Sequence, residues 1–227
     1  MYGHEEVSRW PRRAMVLAHA LVTVLAGWFL VGSGTQAVGH LLGVTWVPGD
    51  AGRRALLLAF AVVLWLRMSG TALILLRRRF AWNEMGAVVG GVALYQLGFA
   101  LLGVGSRQAL GALDVLAVLL FLGGGALNTG SEWARLRFKA RPENRGRLYT
   151  RGSFALVRHP NYLGDCLWGV GWALATRSPW SILIVAAEVA GFVFVNIPQL
   201  SAYLERRYGD DYRAWAAKTA RLVPWLY

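Results

Sequence analysis

The sequence predicts an all-α, polytopic membrane bundle with a cytoplasmic amphipathic helix near its C terminus, and three observations support this fold class. The chain has 227 residues, of which 56% are hydrophobic and only 16% charged, whereas about a quarter of a soluble domain is charged. Apolar runs long enough to cross a bilayer recur along it. The basic residues, which give a formal net charge of +12, lie mainly between those runs.

Six membrane spans are predicted, each near the roughly 20 residues that a bilayer core requires. They cover about residues 14–33, 54–76, 85–105, 108–127, 161–176 and 179–198. The first span is too long for the apolar core of a signal peptide and is predicted to remain uncleaved. The fifth is short and glycine-rich, and the Ser178-Pro179 turn after it predicts a helical hairpin with the sixth.

The distribution of lysine and arginine predicts that both termini face the cytoplasm, in what we expect to be a bacterial inner membrane. One set of loops contains eight basic residues between positions 135 and 158, five after position 205, and Arg9, Arg12, Arg13, Arg77, Arg78 and Arg79. The opposite set contains only Arg53, Arg54, Arg107 and Arg177. Cytoplasmic loops of membrane proteins retain such an excess of positive charge. Because no basic face of a soluble domain remains, nucleic-acid binding is not expected.

We predict a single integral membrane domain that has a four-helix part, residues 14–127, and a cofactor-binding part, residues 128–227. The second part is expected to contain a helix from Asn128 to Lys139 and an amphipathic segment at about 199–217. The sequence has no spacing typical of a metal site, a P-loop or a dinucleotide-binding glycine motif. Any nucleotide would therefore bind without a Rossmann fold.

Residues 158–165, Arg-His-Pro-Asn-Tyr-Leu-Gly-Asp, place ionisable and amide side chains where an apolar span begins. Such groups are costly at the mouth of a span unless they line a cavity or hold a ligand. His159 and Asn161 have two interpretations each, as helix-start residues beside Pro160 or as ligand contacts. Asp165 lies one turn beyond Asn161 on the same helix face. We therefore predict a ligand site that faces the cytoplasm.

A basic cluster lies just before this octet. It consists of Lys139, Arg141, Arg145, Arg147, Arg151 and Arg158. Arginine forks grip phosphate oxygens, so the cluster suits either a polyanionic ligand or lipid headgroups. Amide and acidic residues on both sides of the cluster (Asn128, Glu132, Asn161 and Asp165) favour a nucleotide, because headgroup anchoring does not need them.

Other polar residues inside the predicted spans include the charged residues Arg67, Asp114 and Glu188. A charge at the bilayer centre costs roughly 2.5–3.5 kcal/mol on insertion scales. Two interpretations remain open: ion pairs, such as Arg67 with Asp114 or Glu188, or a polar lining around a lipid-like substrate.

Several motifs resemble those of the steroid 5α-reductase superfamily, especially its bacterial members, over about residues 60–227. They are Leu-Asn-Thr-Gly-Ser-Glu at 127–132, Asn-Arg-Gly-Arg-Leu-Tyr at 144–149, His-Pro-Asn-Tyr-Leu-Gly-Asp at 159–165, Asn-Ile-Pro at 196–198 and Tyr-Leu-Glu-Arg-Arg-Tyr-Gly at 203–209. The run at 159–165 is the most specific, and it is also similar to sterol reductases. The resemblance implies a helical membrane bundle that holds NADPH on its cytoplasmic side.

The resemblance implies cofactor contacts at Asn128, Glu132, Lys139, Arg147, Asn161, Asp165 and Tyr203. The octet adds Arg158, His159 and Tyr162 as predicted cofactor-binding residues. In two respects the chain departs from animal steroid reductases: Val195 and Gln199 stand where those enzymes have Arg and His, and their early Gln-Glu pair has no clear counterpart.

Our main prediction is an NADPH-dependent reductase of an activated C=C bond in a steroid-like or isoprenoid lipid, within a membrane whose lipids are its other partners. Hydride would pass to the β-carbon of an enone, and Tyr95 or Glu84 would donate a hydrogen bond to the developing enolate oxygen.

The alternative is an S-adenosylmethionine-dependent methyltransferase of a lipid or prenylcysteine carboxylate. Isoprenylcysteine and phospholipid methyltransferases are similar in their Arg-His-Pro-x-Tyr opening and in a terminal Tyr-Gly-x-x-Tyr-type helix. Leu200, Ser201 and Ala202 stand where those enzymes usually have an acidic pair. A third hypothesis is a membrane protein that keeps the scaffold without catalysis.

Overall fold

The computed structural model describes residues 9–76 and 78–227. The described residues form helices and no strand, although Val157 and Ala220 make an isolated parallel bridge. The α-helices are α1 (Arg9–Val31), α2 (Gly34–Leu42), α3 (Ala51–Gly70), α4 (Trp82–Gly103), α5 (Ala112–Ala140), α6 (Pro160–Thr176), α7 (Ser181–Gly191), α8 (Ile197–Tyr208) and α9 (Asp210–Ala216). The predicted all-helical membrane bundle is confirmed.

Five helical segments of the described chain are long and apolar enough to cross a membrane. They are Arg9–Val31, Ala51–Leu75, Trp82–Gly103, Ala112–Ala140 and Ser181–Tyr208. Five of the six predicted spans fall on these segments. The remaining one, 161–176, corresponds to α6, which has 17 residues. At 1.5 Å per residue α6 is about 26 Å long, slightly shorter than a typical hydrocarbon core.

Two of the long segments differ from their predicted form. The span at 108–127 and the helix at 128–139 are one continuous helix, α5, because no proline interrupts it and every residue to Ala140, Gly130 included, stays helical. The last span continues past a π-helical segment, Phe192–Asn196, directly into α8. The amphipathic segment at 199–217 is divided into α8 and α9 at Gly209, whose φ of 52° lies in the left-handed region.

The chain forms two compact units. Of the described residues, the first contains 9–76, 78–119 and 170–184, and the second contains 120–169 and 185–227. The predicted division at residues 127 and 128 stays a prediction. So does the orientation of the termini, one of whose supporting residues, Arg77, lies outside the described residues.

In the first unit, α1, α3 and α4 pack against one another. A buried polar network joins them: Gln96 Nε2 lies 2.9 Å from His19 Nε2 and donates to the Ala61 carbonyl at 3.0 Å. Thr23 Oγ1 donates to Gln96 Oε1 at 3.1 Å. The network satisfies an amide side chain that is only 1% exposed.

The first unit also contains a buried ion pair, between Arg53 in the first turn of α3 and Asp114 in the first turn of α5. Arg53 Nη1 lies 2.7 Å from Asp114 Oδ1, and Arg177 Nη2 lies 2.7 Å from Asp114 Oδ2. The interpretation that Asp114 pairs with Arg67, one of those left open by the sequence, is therefore wrong. Arg67 lies about 21 Å further along the same helix than Arg53, at 1.5 Å per residue.

The second unit is held together on one side by an aromatic cluster. Phe154, Tyr212 and Trp215 are buried together, and Trp215 Nε1 donates to the Phe154 carbonyl at 2.9 Å. This bond ties the 3-10 turn Gly152–Ala155 to α9. The loop that precedes α6 is thereby given a fixed position within the unit.

Candidate active site

The second unit brings α5 and α6 into very close contact at two glycines. A Cβ atom on Gly164 would lie 2.5 Å from the Gly124 oxygen and 2.6 Å from the Asn128 nitrogen. A Cβ atom on Gly124 would lie 2.4 Å from the Gly164 oxygen. Only glycine allows two helix backbones to approach this closely. The crossing therefore fixes how the polar residues on both helices meet.

Directly at this crossing, Asn128 connects α5 to α6. Its Nδ2 donates to the main-chain oxygen of Asn161 at 3.1 Å and to Asp165 Oδ1 at 2.9 Å. Trp168 Nε1 donates to the same carboxylate oxygen at 2.7 Å. Three of the predicted site residues thus form one hydrogen-bonded group, which we call the collar: Asn128, Asn161 and Asp165.

The residues before α6 are held by the C-terminal segment of the chain. Arg158 N donates to the Ala220 oxygen at 2.8 Å, and His159 N donates to the Arg221 oxygen at 3.2 Å. These bonds extend the bridge between Val157 and Ala220. The backbone of the Arg-His pair is therefore fixed from both sides, by this pairing and by the helix that starts at Pro160.

His159 is buried, with 2% of its surface exposed. Its ring stacks on Tyr162 at a centroid distance of 5.3 Å, and Tyr162 stacks on Phe192 at 4.4 Å. Within the described residues, His159 Nε2 has no hydrogen-bond partner. Burial, and then the positive charges of Arg158 and Arg221, lower the pKa of His159 from 6.5 to about 4. The imidazole is therefore neutral at neutral pH, with one buried nitrogen able to bind a ligand.

Arg158 directly precedes His159 in the chain, and it also has an unused donor. Its Nη1 lies 3.4 Å from the Tyr212 hydroxyl, which belongs to the aromatic cluster. Its Nε is buried and has no partner in the described part of the chain. A guanidinium with a free donor beside a neutral imidazole is suited to bind a carboxylate.

Lys139 of the basic cluster makes contacts within the protein, and the assignment of the cluster to phosphate stays a prediction. The ammonium of Lys139 donates to the Arg147 main-chain oxygen and, at 2.8 Å, to the Tyr208 hydroxyl. It also lies 4.9 Å from the centre of the Tyr208 ring. Lys139 thus joins α5, the loop and α8, while Arg147 itself is exposed.

The two other predicted cofactor contacts in this unit have partners within their own helices. Glu132 pairs with Arg135 at 2.5 Å, and the Tyr203 hydroxyl accepts from Arg207 Nη1 at 3.1 Å. Their assignment as cofactor contacts stays a prediction. The predicted donors Tyr95 and Glu84 lie in the first unit, where Tyr95 packs edge-on against Phe99 and Glu84 pairs with Arg78.

Sequence reasoning missed several residues that shape this site. Trp168 binds the Asp165 carboxylate, Phe192 extends the ring stack, and Tyr212 contacts Arg158. A signal existed for Trp168, which lies three residues after Asp165 and so on the same helix face. No local signal identifies Phe192 or Tyr212, because both reach the site through tertiary packing.

Comparison with known proteins relates this chain to methyltransferases. The model of a protein family of unknown function, DUF1295, matches residues 87–219, which is more than half of the chain.

Protein-S-isoprenylcysteine O-methyltransferase B of Arabidopsis thaliana is 32% identical over 88 residues, covering 39% of this chain and 45% of that protein. The probable O-methyltransferase ustE of Ustilaginoidea virens is 31% identical over 170 residues, covering 63% and 58%. The corresponding isoprenylcysteine enzyme of Schizosaccharomyces pombe is 31% identical over 77 residues, covering 34% and 33%. The chain spans about half the length of the curated relatives it matches.

These relatives overturn the main functional prediction. All of them are named O-methyltransferases and none is named a reductase, so the prediction of an NADPH-dependent oxidoreductase is wrong. The role predicted for Tyr95 and Glu84, donating to an enolate oxygen, exists only in a reductase. Together, the helical membrane bundle, the family match and these relatives show that the chain belongs to the DUF1295 family, within the steroid 5α-reductase and isoprenylcysteine methyltransferase-like group.

Proposed function

We propose that this protein is a membrane-bound, S-adenosylmethionine-dependent O-methyltransferase that acts on the carboxylate of a prenylcysteine or of a similar lipid-like acid. The names of its relatives support the reaction class. The observation from the structure that supports a site is that two consecutive residues, Arg158 and His159, each have a buried side-chain nitrogen without a partner among the described residues, Nε of Arg158 and Nε2 of His159.

The charges around His159 suit a cationic cofactor with an amino-acid tail. A protonated histidine would repel a sulfonium, but the lowered pKa keeps this ring neutral near neutral pH. Asp165 supplies a negative charge in the collar, one turn into α6. Arg158 supplies a donor for a carboxylate, either that of the cofactor or that of the substrate. These residues therefore fit S-adenosylmethionine without any phosphate-binding group.

Methyl transfer to a carboxylate makes modest chemical demands on the protein. When bound, S-adenosylmethionine supplies an electrophilic methyl group that bonds to the carboxylate oxygen, while the electron pair of the broken C–S bond stays on sulfur. No proton moves in this step, so no residue has to act as a general base. Catalysis then consists of holding the two reactants in line and excluding water. We assign this role to His159, Arg158 and the collar.

We further propose that the cofactor enters from the cytoplasmic side of a bacterial inner membrane. The basic residues between positions 135 and 158 immediately precede the site, and such loops are retained in the cytoplasm. A lipid-like substrate would reach the same site through the membrane, in which its apolar tail is soluble.

The test is transfer of a radiolabelled methyl group from S-adenosylmethionine to an N-acetylated S-prenylcysteine by the purified, full-length protein. We expect a base-labile methyl ester to form, and no product when the acceptor carboxylate is already esterified. His159→Leu should lower the rate about tenfold or more, because a buried hydrogen bond to a ligand is lost. His40→Leu is the matched control, since His40 is an exposed histidine of α2 in the first unit.

Two results would contradict this proposal. One is binding of NADPH but not of S-adenosylmethionine by the purified protein. The other is binding of neither, which would favour a membrane protein without catalysis.

A further inference from the structure

The last residues of the chain, 222–227, fold back on themselves and are called the C-terminal hook. Leu222 N and Val223 N both donate to the Tyr227 main-chain oxygen, at 2.7 and 3.0 Å. Trp225 has a φ of 62°, in the left-handed region that non-glycine residues rarely adopt. The hook is therefore an ordered turn that holds its tip in one conformation at some energetic cost.

The tip of the hook displays large apolar side chains. Trp225 is 96% exposed and Leu226 is 84% exposed. Leu156, which is 62% exposed, lines the same open depression of about 440 Å³ as the hook. Grouped apolar side chains of this size mark an interaction surface rather than ordinary solvent-facing surface.

The hook is attached where an apolar helix begins. The residues just before it, Ala220 and Arg221, accept hydrogen bonds from Arg158 N and His159 N, and α6 starts at Pro160. An apolar helix that enters a bilayer places its first residues at the level of the lipid headgroups. Tryptophan is enriched at that level because its ring is apolar and its N–H is polar.

Positive charges accompany the apolar tip. Lys218 lines the depression, and both Lys218 and Arg221 are exposed. The Arg221 guanidinium lies 5.2 Å from the centre of the Tyr227 ring, which fixes it at the base of the hook. Exposed lysine and arginine near a membrane attract anionic headgroups. A surface that combines these charges with apolar side chains matches an anionic bilayer interface.

We propose that the C-terminal hook is an interfacial anchor. Trp225 and Leu226 insert into the headgroup layer of an anionic bilayer, and Lys218 and Arg221 contact lipid phosphates. Because the segment before the hook is hydrogen-bonded to Arg158 and His159, the anchor also holds the entrance of α6 at the membrane surface. This inference does not depend on the reaction that the site performs.

The experiment places a fluorophore at the tip of the hook. The variant Leu226→Cys is labelled with an environment-sensitive dye and reconstituted in lipid nanodiscs of phosphatidylcholine and phosphatidylglycerol in equal parts. Quenching is compared between a spin label on the lipid headgroup region and iodide in the water. Asp210→Cys is the matched control, because the Asp210 side chain is 95% exposed at the start of α9. The unaltered chain, whose one cysteine is Cys166, gives the labelling blank.

We expect the label at position 226 to be quenched mainly by the lipid spin label, and the label at 210 mainly by iodide. Adding Trp225→Ser or Lys218→Glu should reduce the lipid quenching several-fold, and Lys218→Glu only when phosphatidylglycerol is present. Iodide quenching at 226 as strong as at 210 would overturn the proposal. Quenching by neither agent would also overturn it, since the hook would then be covered by protein or by a second copy of the chain.

Discussion

Two buried polar regions of this molecule, one in each unit, differ in how completely their hydrogen bonds are made. Around Arg53, which is 0% exposed, every guanidinium nitrogen has an oxygen partner. Around His159, which is 2% exposed, the ring Nε2 and the neighbouring Arg158 Nε have none within the described chain.

The difference indicates different roles. Arg53 has no donor left for a ligand, although the Nε of Arg177, which pairs with the same Asp114, has no partner among the described residues, and the cluster joins α3, α5 and the end of α6. A buried polar atom without a partner costs about 1–3 kcal/mol, which a bound ligand would recover. We therefore assign the Arg53 cluster to stability and the His159 cluster to binding. The predictions below test that assignment.

The largest loss of stability is expected for Asp114→Asn. Arg53 and Arg177 would both lose their charged partner in a buried site, and breaking such a pair costs about 3–5 kcal/mol. The thermal midpoint of the protein in detergent should fall strongly, while the remaining folded protein should bind S-adenosylmethionine normally. Arg213→Gln, in an exposed pair with Asp210 and Glu205, is the control and should leave the midpoint unchanged. An equally stable Asp114→Asn protein would refute the stabilising role.

The second largest loss of stability is expected for Gly164→Ala. Its Cβ would lie 2.5 Å from the Gly124 oxygen, so α5 and α6 must separate, at a cost of roughly 1–3 kcal/mol. Separation would also break the bonds from Asn128 to Asp165 and to the Asn161 oxygen, so both stability and cofactor affinity should fall.

Gly130→Ala on α5 is the matched control, because a Cβ there meets nothing within 4 Å. It should be neutral or stabilise α5 by up to about 1 kcal/mol. Thermal unfolding and calorimetric titration of both variants measure the two effects. Equal behaviour of the two alanine variants would mean that the glycine crossing does not position the collar.

A comparison of two buried histidines separates binding from stability. His19 in the first unit is 0% exposed, and its Nε2 contacts Gln96 while its Nδ1, like the Nε2 of His159, has no partner among the described residues. His19→Leu should destabilise the protein by about 1–3 kcal/mol, because it leaves the Gln96 amide with a lost partner, and should not change cofactor affinity. His159→Leu should weaken cofactor affinity and should not lower the free energy of unfolding near neutral pH. A fall in affinity with His19→Leu alone would reverse the assignment of the two regions.

The smallest predicted effect is the contribution of His159 to the pH dependence of the free energy of unfolding. The pKa of His159 is about 4 in the folded protein against 6.5 ordinarily, so the unfolded chain takes up the proton first as the pH falls. Stability should therefore decline from pH 6.5 down to about pH 4 and show no further loss from this group below that. The unaltered protein should therefore lose thermal midpoint relative to His159→Leu as the pH falls across this window. A constant difference would mean that His159 is not buried as a neutral ring.

Much of the membrane architecture could be predicted from the sequence, because apolar length alone identifies a span. The segment predicted at 161–176 does form a helix, α6, but its 17 residues are too few for length alone to identify it as a membrane span. The collar was also predictable in part, since Asn161 and Asp165 are one helical turn apart. Its third member, Asn128, is 33 residues from Asn161 along the chain. Only the family resemblance of the motif at 127–132 indicated Asn128 as a site residue.

Other features depended on tertiary packing that no local pattern encodes. The hydrogen bond from Lys139 to Tyr208, which lies 69 residues away, is one such feature. A pairing of Asp114 with Arg67 was one interpretation left open, yet the start of α3 supplies Arg53 as the partner instead. The reaction class was misjudged for a related reason: the run at 159–165 is similar in reductases and in methyltransferases, so it identifies the scaffold but not the cofactor.

The central claim is that the His159 cluster binds S-adenosylmethionine, and calorimetric titration of the purified protein with this cofactor tests it most directly. We predict saturable binding to the unaltered protein and to His19→Leu, with affinity at least about tenfold weaker in His159→Leu. Undiminished affinity in His159→Leu would contradict the claim.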